Sequence, residues 1–459
     1  MKILKFGGTS IRDAERIQHV VQILKNRIQE DEIAVVVSAF GGITDLLINT
    51  AEQAVSSNKR YTSSFQEIKD RHIEVIDTLF EGKDRDNILS ILDKYTSRLY
   101  DIFHGIYLVR DLAPKSHNQI LSYGERLSAR IISAYLSSQG VEAQYIDSRK
   151  VVKTDSNYSA AAVNFRKTNS RIKNRYAKKT GMWVMTGFIA TNDEGETTVL
   201  GRSGSDYSAA ILGAALDAEE VEIWTDVNGV MTANPRMVAN ATTIPTMSYA
   251  DALEMSHFGA KVIHPPTVQP LMKKNIPIRI KNTFEPEFDG TLIGNLPPDP
   301  DHKITGISSI EEISLIRMSG SGMIGRTGFN GRIFQSVARR DVGVMLISLA
   351  SSEQSICFAV SPESANDAKL ALEEEFAWEI RNEYVSRILI EDNLSIVAVV
   401  GENMRHTPGI SGKVFSALGE EGINVIAIAQ GSSERNISIV ISADDEVHAI
   451  ETLHKTFFD

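Results

Sequence analysis

The C-terminal part of the chain repeats itself, and this repeat limits the folds that the chain can adopt. Residues 313–360 align without a gap with residues 394–441, at an offset of 81 residues. The alignment keeps glycines and an aromatic residue in register: Gly320 with Gly401, Gly328 with Gly409, Gly331 with Gly412 and Phe334 with Phe415. Self-similarity at a fixed period indicates duplicated structural units. Each copy predicts the order strand, glycine-rich turn, amphipathic helix, strand, turn and strand.

Upstream of the repeat, short β-branched runs alternate with longer helical patterns from residue 1 to about residue 295. This alternation is typical of an α/β domain in which helices cover both faces of a parallel sheet. The predicted strands are apolar enough for burial on both faces. They are Ile3–Phe6, Ile33–Val37, Val141–Ile146, Trp183–Ile189, Val221–Thr225 and Ile276–Ile280. The proline-rich and acidic segment 296–301 then predicts a linker, because proline cannot continue a helix or a central strand.

Charge and cysteine content indicate which kinds of binding partner and which cellular compartment suit the protein. The formal net charge of -11 gives no basic surface for nucleic acid or for an anionic membrane. The single cysteine, Cys357, cannot close an intrachain disulfide, and we interpret it as a core residue in a reducing compartment. The chain has neither the apolar start of a signal peptide nor the ~20 apolar residues of a membrane span. The sequence therefore predicts a soluble cytoplasmic protein that binds small molecules and neither nucleic acid nor membrane.

The segment Lys5–Ser10, KFGGTS, places a lysine at the end of a buried strand and two glycines in the following turn. Backbone N–H groups of such a turn can face phosphate, although a tight turn with a solvated lysine would read the same way. The pattern G-x-x-x-x-G-K-[ST] is missing from the sequence, which disfavours a P-loop enzyme. A G-x-G-x-x-G match at Gly320, Gly322 and Gly325 lies inside the repeated unit, so we do not interpret it as a dinucleotide site.

Charged residues also stand at the start of a helix predicted at about Tyr207–Leu216. Arg202 can grip a carboxylate through two parallel hydrogen bonds, and Asp206 lies either in a site or at a simple helix N-cap. Beyond the next strand, Lys261 is a second candidate for phosphate binding. His264 precedes a proline and is interpreted as a turn residue.

Together these motifs resemble the aspartate kinases, in the order found in that family. The segments that carry the resemblance are KFGGTS, SYGER (Ser122–Arg126), TGFIA (Thr186–Ala190), LGRSGSDYSAA (Leu200–Ala210), WTDVNGVMT (Trp224–Thr232) and FGAKVIHP (Phe258–Pro265). The resemblance implies transfer of the γ-phosphoryl group of ATP to the β-carboxylate of L-aspartate, the first step of lysine, threonine and methionine biosynthesis. Such a carboxylate, with an unperturbed pKa of about 3.9, is already a nucleophile at neutral pH and needs no general base.

The same resemblance implies a domain plan. It places an amino acid kinase fold, a parallel-rich sheet between helix layers, over residues 1–295, and a linker with the first regulatory strand over 296–310. Two ferredoxin-like ACT modules would follow over 311–385 and 386–459. Relatives pair ACT modules between chains, so we expect a homodimer or a higher homo-oligomer.

The resemblance also assigns residue roles. Lys5 and Asp206 would be catalytic. The positions implied for aspartate are Ser38, Thr44, Glu125 and Arg202. The positions implied for ATP are Gly7, Gly8, Thr9, Ser10, Thr225, Asp226, Met231, Arg236 and Lys261. Mg²⁺ would arrive with ATP, without a direct protein metal site.

Two residues of the nucleotide pocket depart from the family pattern. Asn234 stands where the family usually has aspartate, and Met231 where it commonly has tyrosine. Asparagine preserves turn geometry and methionine can still pack against a base. We therefore expect altered nucleotide affinity rather than lost activity.

The tail most resembles the regulatory half of bifunctional aspartate kinase–homoserine dehydrogenases, whose usual effector is threonine. Gln430 of the second repeat aligns with Leu349 of the first, where threonine-sensitive relatives commonly carry glutamine. We expect Asn424 and Gln430 to bind the effector. Lysine fits poorly, since the apolar Met345 stands where lysine-sensitive relatives carry an acidic residue. In the alternative, Leu349 packs in the core and the tail only dimerises the enzyme.

Two other functions remain compatible with these residues. A kinase of the same fold acting on another small acid would share the glycine turns, but would not need Glu125 and Arg202 in these contexts. A non-catalytic amino-acid sensor with a vestigial kinase domain would have no use for Lys5, Asp206 and Lys261.

Overall fold

The structure, a computed structural model, describes residues 1–159, 161–260, 263–296, 303–321, 327–349 and 355–458. It divides into two compact units, the first comprising residues 1–230 and 262–296 and the second residues 231–261 and 297–459. Within the described ranges, no helix combines the length and apolar character needed to cross a bilayer. The predicted linker lies outside the described residues apart from Leu296, and so do Gly322 and Gly325.

The elements are numbered in chain order. The strands are β1 Lys2–Phe6, β2 Ile33–Val37, β3 Ala143–Ile146, β4 Met182–Thr186, β5 Ile189–Thr191, β6 Thr197–Val199, β7 Glu220–Thr225, β8 Thr246–Ser248, β9 Ile278–Asn282, β10 Thr291–Gly294, β11 Gly306–Ser319, β12 Leu346–Leu349, β13 Ser355–Val360, β14 Leu389–Val400, β15 Ala427–Ala429 and β16 Asn436–Ser442. The helices are α1 Ala14–Arg27, α2 Ile43–Val55, α3 Tyr61–Leu79, α4 Gly82–Val109, α5 Pro114–Ser138, α6 Phe165–Tyr176, α7 Gly204–Leu216, α8 Tyr249–His257, α9 Pro265–Met272, α10 Phe329–Ala338, α11 Pro362–Glu375, α12 Ala377–Arg381, α13 Ile410–Glu420 and α14 Glu446–Phe458.

The first unit is built on a mostly parallel sheet, which confirms the predicted fold class. Its strands lie in the order β3-β4-β2-β1-β7-β9-β10, and every neighbouring pair is parallel except β9 with β10. All of β2 is buried, as expected for an apolar strand covered on both faces. Because the parallel strands share one direction, the loops that follow β1, β2, β4 and β7 lie along the same edge of the sheet.

The strand predicted at Val141–Ile146 begins only at Ala143, and two other predicted strands differ from the observed ones for local reasons. The single strand predicted at Trp183–Ile189 is two strands, because Phe188 between them adopts a left-handed backbone with φ 63°. The strand predicted at Ile276–Ile280 begins only at Ile278, after Pro277, which has no N–H to donate to a ladder.

In the second unit the sequence repeat appears as two equivalent sets of elements. The starts of α10 and α13, of β12 and β15, and of β13 and β16 each differ by the 81-residue offset. The strands form one antiparallel sheet in the order β12-β13-β11-β14-β16-β15. Gly328 and Gly409, with φ of 84° and 93°, precede α10 and α13 in the left-handed conformation that favours glycine. The duplication predicted from the sequence is confirmed.

The segment 231–261 belongs to the second unit through its own packing, although the sequence placed it in the catalytic region. Ala233 and Val238 are buried in the same core as α13 and α14. Thr232 Oγ1 lies 2.9 Å from His454 Nε2, and Thr305 Oγ1 donates to Asp251 Oδ2 at 2.8 Å. These contacts fasten the segment to the second unit.

Cys357 on β13 is half-buried, so its interpretation as a core residue is wrong. Burial raises the pKa of its thiol, which disfavours the reactive thiolate form.

Candidate active site

Lys5 and Asp206 form an ion pair at the edge of the sheet where β1 ends. Lys5 lies near the end of β1, and Asp206 lies in the first turn of α7. Lys5 Nζ is 2.5 Å from Asp206 Oδ1, and only 10% and 14% of the two side chains are exposed. Ser203 is the N-cap residue of α7, so the alternative that Asp206 merely caps the helix is wrong. The alternative of a solvated lysine is also wrong, because Lys5 is buried.

The glycine turn after β1 lies against this pair. A Cβ atom on Gly7 would stand 3.5 Å from Lys5 Nζ, and one on Gly8 would stand 3.1 Å from the carbonyl oxygen of Ala39. The backbone can therefore approach both the ammonium group and the neighbouring loop. Close backbone approach beside a cation suits the binding of phosphate.

The two hydroxyl residues of this turn face different surroundings. Thr9 is exposed, and its carbonyl oxygen accepts a hydrogen bond from Arg16 Nη1 at 2.6 Å. Ser10 is fully buried, and its Oγ lies 2.6 Å from Thr283 Oγ1. The Ser10 hydroxyl thus ties the turn to the segment after β9.

Ser38 connects the loop after β2 to the start of α7. Its Oγ donates to Ser205 Oγ at 2.8 Å, and its carbonyl oxygen accepts from Ser128 Oγ at 2.5 Å. Ser205 immediately precedes Asp206, and sequence reasoning gave it no role. A Cβ atom on Gly187 would stand 2.5 Å from Ser205 Cβ, so only glycine fits there.

Glu125 on α5 is a buried carboxylate that forms no ion pair with any of the described residues. Only 4% of the residue is exposed, and among the described residues no hydrogen-bond partner reaches its Oε2 atom. Burial raises the pKa of Glu125 to about 8, opposed only by backbone N–H groups of Glu125 itself and Ala39. A carboxylate in such surroundings requires either a proton or a cation brought by a ligand.

Thr44 and Arg202 line one cavity of about 570 Å³. Arg202 is exposed. The residues on either side of it, Gly201 and Ser203, adopt left-handed backbones with φ of 78° and 52°. Phe188 lines the same cavity, and its N–H group donates to Ser208 Oγ at 2.9 Å. The sequence analysis did not identify Phe188 as a residue of this cavity. The glycine before it, Gly187, does not indicate that Phe188 itself adopts a left-handed backbone.

His264 is the N-cap residue of α9, in keeping with its interpretation as a turn residue. Its pKa is lowered by burial first and by Arg202 second, while Asp206 opposes the change. The charges of Arg202 and Asp206 therefore both act on the His264 imidazole.

Thr225 and Asp226 follow β7 at the same edge of the sheet. Thr225 Oγ1 donates to Asp226 Oδ1 at 3.1 Å, and Asp226 is exposed. Next to them, Asn282 Nδ2 donates to Asn228 Oδ1 at 2.6 Å, which joins the ends of β9 and β7. This polar edge was not recognised in the sequence beyond Thr225 and Asp226.

The remaining residues predicted for ATP either belong to the second unit or lie outside the described residues. Met231 and Arg236 belong to the second unit, where Thr243 Oγ1 lies 3.4 Å from Met231 Sδ. Asn234 Oδ1 accepts from the Arg236 N–H group at 3.1 Å, so asparagine maintains the turn as expected. Lys261 lies outside the described residues.

The described residues include no cluster of three or more histidine, cysteine, aspartate or glutamate side chains that would hold a metal ion. Mg²⁺ usually binds through one or two carboxylates together with substrate phosphates. The carboxylate of Asp206, beside Lys5 and the glycine turn, fits that requirement.

The expected effector residues lie in the second unit. Asn424 and Gln430, before and after β15, are both exposed. Leu349 at the end of β12 is 48% exposed, so the alternative that it packs in the core is wrong.

Comparisons with known proteins agree with this arrangement. Residues 1–282 match the model of the amino acid kinase family, and residues 316–376 and 397–457 each match the ACT domain. The bifunctional aspartokinase/homoserine dehydrogenase of Haemophilus influenzae is 35% identical over 462 residues, covering 100% of this chain and 57% of that protein. A chloroplastic enzyme of the same name from Arabidopsis thaliana is 37% identical and is covered to 50%. The chain thus spans about half the length of these curated relatives.

A solved structure is similar over its full length. E. coli aspartokinase III in complex with aspartate and ADP superposes with a TM-score of 0.85 at 27% identity, with 100% of both chains covered.

Proposed function

Because the chain belongs to the amino acid kinase family, we propose that it is an aspartate kinase that phosphorylates the side-chain carboxylate of L-aspartate with ATP. The observation that carries the proposal is the ion pair of Lys5 and Asp206 beside the glycine turn. A second observation is the buried carboxylate of Glu125, which has no ion-pair partner among the described residues and faces the N–H group of Ala39, whose carbonyl oxygen lies against Gly8. Lys5, Asp206 and the glycine turn suit the phosphate donor, and Glu125 suits a substrate that bears an ammonium group.

The charges suit aspartate as the acceptor. Glu125 would accept the α-ammonium group, which supplies the counter-charge that the buried carboxylate lacks. Arg202, exposed at the cavity that Thr44 also lines, would hold a carboxylate of the substrate. Ser38 would offer its hydroxyl group to a remaining oxygen.

The chemical step needs little more than alignment and charge neutralisation. An oxygen of the side-chain carboxylate attacks the γ-phosphorus, and the bond from that phosphorus to the bridging oxygen of ADP breaks. Lys5 would neutralise charge on the transferring group, while the Gly7–Gly8 turn would hold the phosphates. Mg²⁺ bound with ATP would neutralise phosphate charge, with Asp206 as the protein group that orients it. The product is an acyl phosphate.

The proposed ATP contacts also include Thr9, Ser10, Thr225, Asp226, Met231, Arg236 and Lys261. Of these, Ser10 has its hydroxyl engaged with Thr283. Its contribution would therefore come from the backbone of the turn.

A sensor with a vestigial kinase domain is the competing function. The buried pair of Lys5 and Asp206 argues against it, since burying two charges is costly and stabilises a fold poorly. Formation of ADP with a panel of acids separates the candidates. We expect turnover with aspartate and little with glutamate or acetylglutamate; no turnover with any acid would favour the sensor.

For regulation, we propose feedback control by threonine through the two ACT domains, with Asn424 and Gln430 as contacts. Both residues are exposed, as a ligand contact requires. E. coli aspartokinase III has been solved in complex with lysine and aspartate, so lysine is the effector to test against threonine.

We further propose a homodimer or higher homo-oligomer formed through the second unit. The strands β12 and β15, which meet where Ser348 Oγ donates to the carbonyl oxygen of Ile428 at 2.9 Å, expose the side chains of Ile347, Leu349 and Ile428, each by 45% or more. Exposed apolar side chains that lie close together are typical of a protein–protein contact surface. Sedimentation of the full chain tests this: a monomer at micromolar concentration would refute it.

A further inference from the structure

The loop 38–42, between β2 and α2, connects the groups on which the proposed site depends. Ser38 in this loop donates to Ser205, and the Ala39 N–H group faces the Glu125 carboxylate. Gly41 lies against the glycine turn, since a Cβ atom on Gly41 would stand 3.0 Å from the carbonyl oxygen of Gly8. The position of this loop therefore determines the acceptor side and the phosphate turn together.

Two consecutive residues of α3 hold the loop from outside the site. Arg71 Nη2 donates to the carbonyl oxygen of Gly41 at 2.7 Å. His72 is fully buried and stacks on Phe40, with ring centroids 5.1 Å apart. Burial lowers the pKa of His72 to about 4, so the ring is neutral at neutral pH and packs as an aromatic group.

The backbone of the loop 38–42 leaves room for the guanidinium group of Arg71. Arg71 Nη1 lies 3.5 Å from the point where a Cβ atom on Gly42 would stand, and Gly42 has φ of +81°. Within the described ranges no carboxylate oxygen lies within the 4.0 Å ion-pair distance of Arg71, although acidic residues adjoin it on α3. The guanidinium group is therefore directed at the loop and not at a surface ion pair.

We propose that Arg71 is a positioning residue that fixes the loop 38–42 against the glycine turn, so that Ser38 and Glu125 hold aspartate in line with the transferring phosphoryl group. Arg71 touches no substrate in this arrangement and acts through Gly41. The catalytic part of the proposal rests on the proposed function, whereas the ordering of the loop does not.

The test compares Arg71→Met, which keeps the aliphatic stem, with Arg71→Lys, which keeps the positive charge and an N–H donor group. Arg85→Met is the matched control, because Arg85 pairs with Asp77 at 2.8 Å on the surface. Hydrogen exchange of the free full-length chain is measured first, at the hydrogen-bonded amides of Ser38, Ile43 and Leu46. We expect about tenfold faster exchange there in Arg71→Met and no change in Arg85→Met.

Kinetics then test the consequence for catalysis. We expect kcat/KM for aspartate to fall about 10- to 100-fold in Arg71→Met, with KM for ATP within about threefold of the wild type. Arg71→Lys should recover most of this loss. Unchanged loop exchange, an equal loss in Arg85→Met, or no recovery in Arg71→Lys would overturn the proposal. If the wild type does not phosphorylate aspartate, the proposed function fails, and the exchange data alone decide whether Arg71 orders the loop.

Discussion

Ser38 Oγ donates to Ser205 Oγ at 2.8 Å, one residue before Asp206. This hydrogen bond joins the loop after β2, which carries the proposed aspartate contact Ser38, to the helix that carries the partner of Lys5. The aspartate side and the phosphate side of the proposed site are therefore linked within the first unit. A change that moves Ser205 should disturb transfer without touching either substrate directly.

Gly187→Ala tests this link. Its new Cβ atom would stand 2.5 Å from Ser205 Cβ and 3.1 Å from the carbonyl oxygen of Val37, so the start of α7 must shift. A displacement of about 1 Å at a reacting group can cost ~100-fold in rate, and we expect kcat to fall about 10- to 100-fold. Gly105→Ala, in α4 with open space around it, should leave kcat unchanged. Wild-type kcat in Gly187→Ala would contradict the link.

Replacing the members of the central ion pair should separate catalysis from stability. Lys5→Met and Asp206→Asn should each lower kcat by about 10³-fold, because each removes charge from the transfer step. The double variant should lose little more, since the two residues act as a unit. In denaturant titrations it should be more stable than Lys5→Met, which leaves Asp206 unpaired. Near-normal turnover in either single variant would refute the assignment.

The raised pKa of Glu125 predicts how aspartate binding depends on pH. With a pKa of about 8 in the free site, Glu125 is protonated below that pH and must lose its proton to accept an ammonium group. The apparent KM for aspartate should therefore fall about tenfold per unit as pH rises from 6.5 toward 8, and then level off. KM for ATP should stay nearly flat. Glu125→Gln should raise KM for aspartate and abolish its pH dependence; a persisting dependence would assign it to another group.

The two repeats predict an asymmetric response to the effector. Gln430 should contact threonine, whereas the exposed Leu349 cannot form the equivalent hydrogen bonds. A polar group of the ligand left buried without a hydrogen-bond partner costs about 1–3 kcal/mol, so Gln430→Leu should raise the threonine concentration for half-inhibition about tenfold or more. Leu349→Gln should lower it. Threonine, lysine and methionine are titrated separately against kinase activity, and inhibition by lysine alone would contradict threonine as effector.

Local sequence patterns predicted much of the fold, because buried parallel strands and fixed-period repeats leave strong signals. The lysine and glycines after β1 were recognisable for the same reason. The pairing of Lys5 with Asp206 was not, since it depends on how residues 201 positions apart meet at one edge of the sheet. Likewise, nothing near Arg71 in the sequence indicates that its guanidinium group reaches Gly41.

The segment 231–261 shows a second limit. Ala233 and Val238 are apolar and could be buried in the core of either unit. Only their packing with α13 and α14 shows which core they join. Phe188 shows a third, because its left-handed backbone is set by tertiary contacts and not by its own preference.

The most direct test of the central claim follows an oxygen atom. Aspartate labelled with ¹⁸O in the side-chain carboxylate is incubated with the full chain, ATP, Mg²⁺ and hydroxylamine. Transfer to that carboxylate, followed by attack of hydroxylamine at the carbonyl carbon, releases phosphate that carries one labelled oxygen. We predict one ¹⁸O per phosphate released, together with the β-hydroxamate of aspartate. Unlabelled phosphate, or label that transfers only when the α-carboxylate carries it, would contradict the proposed reaction.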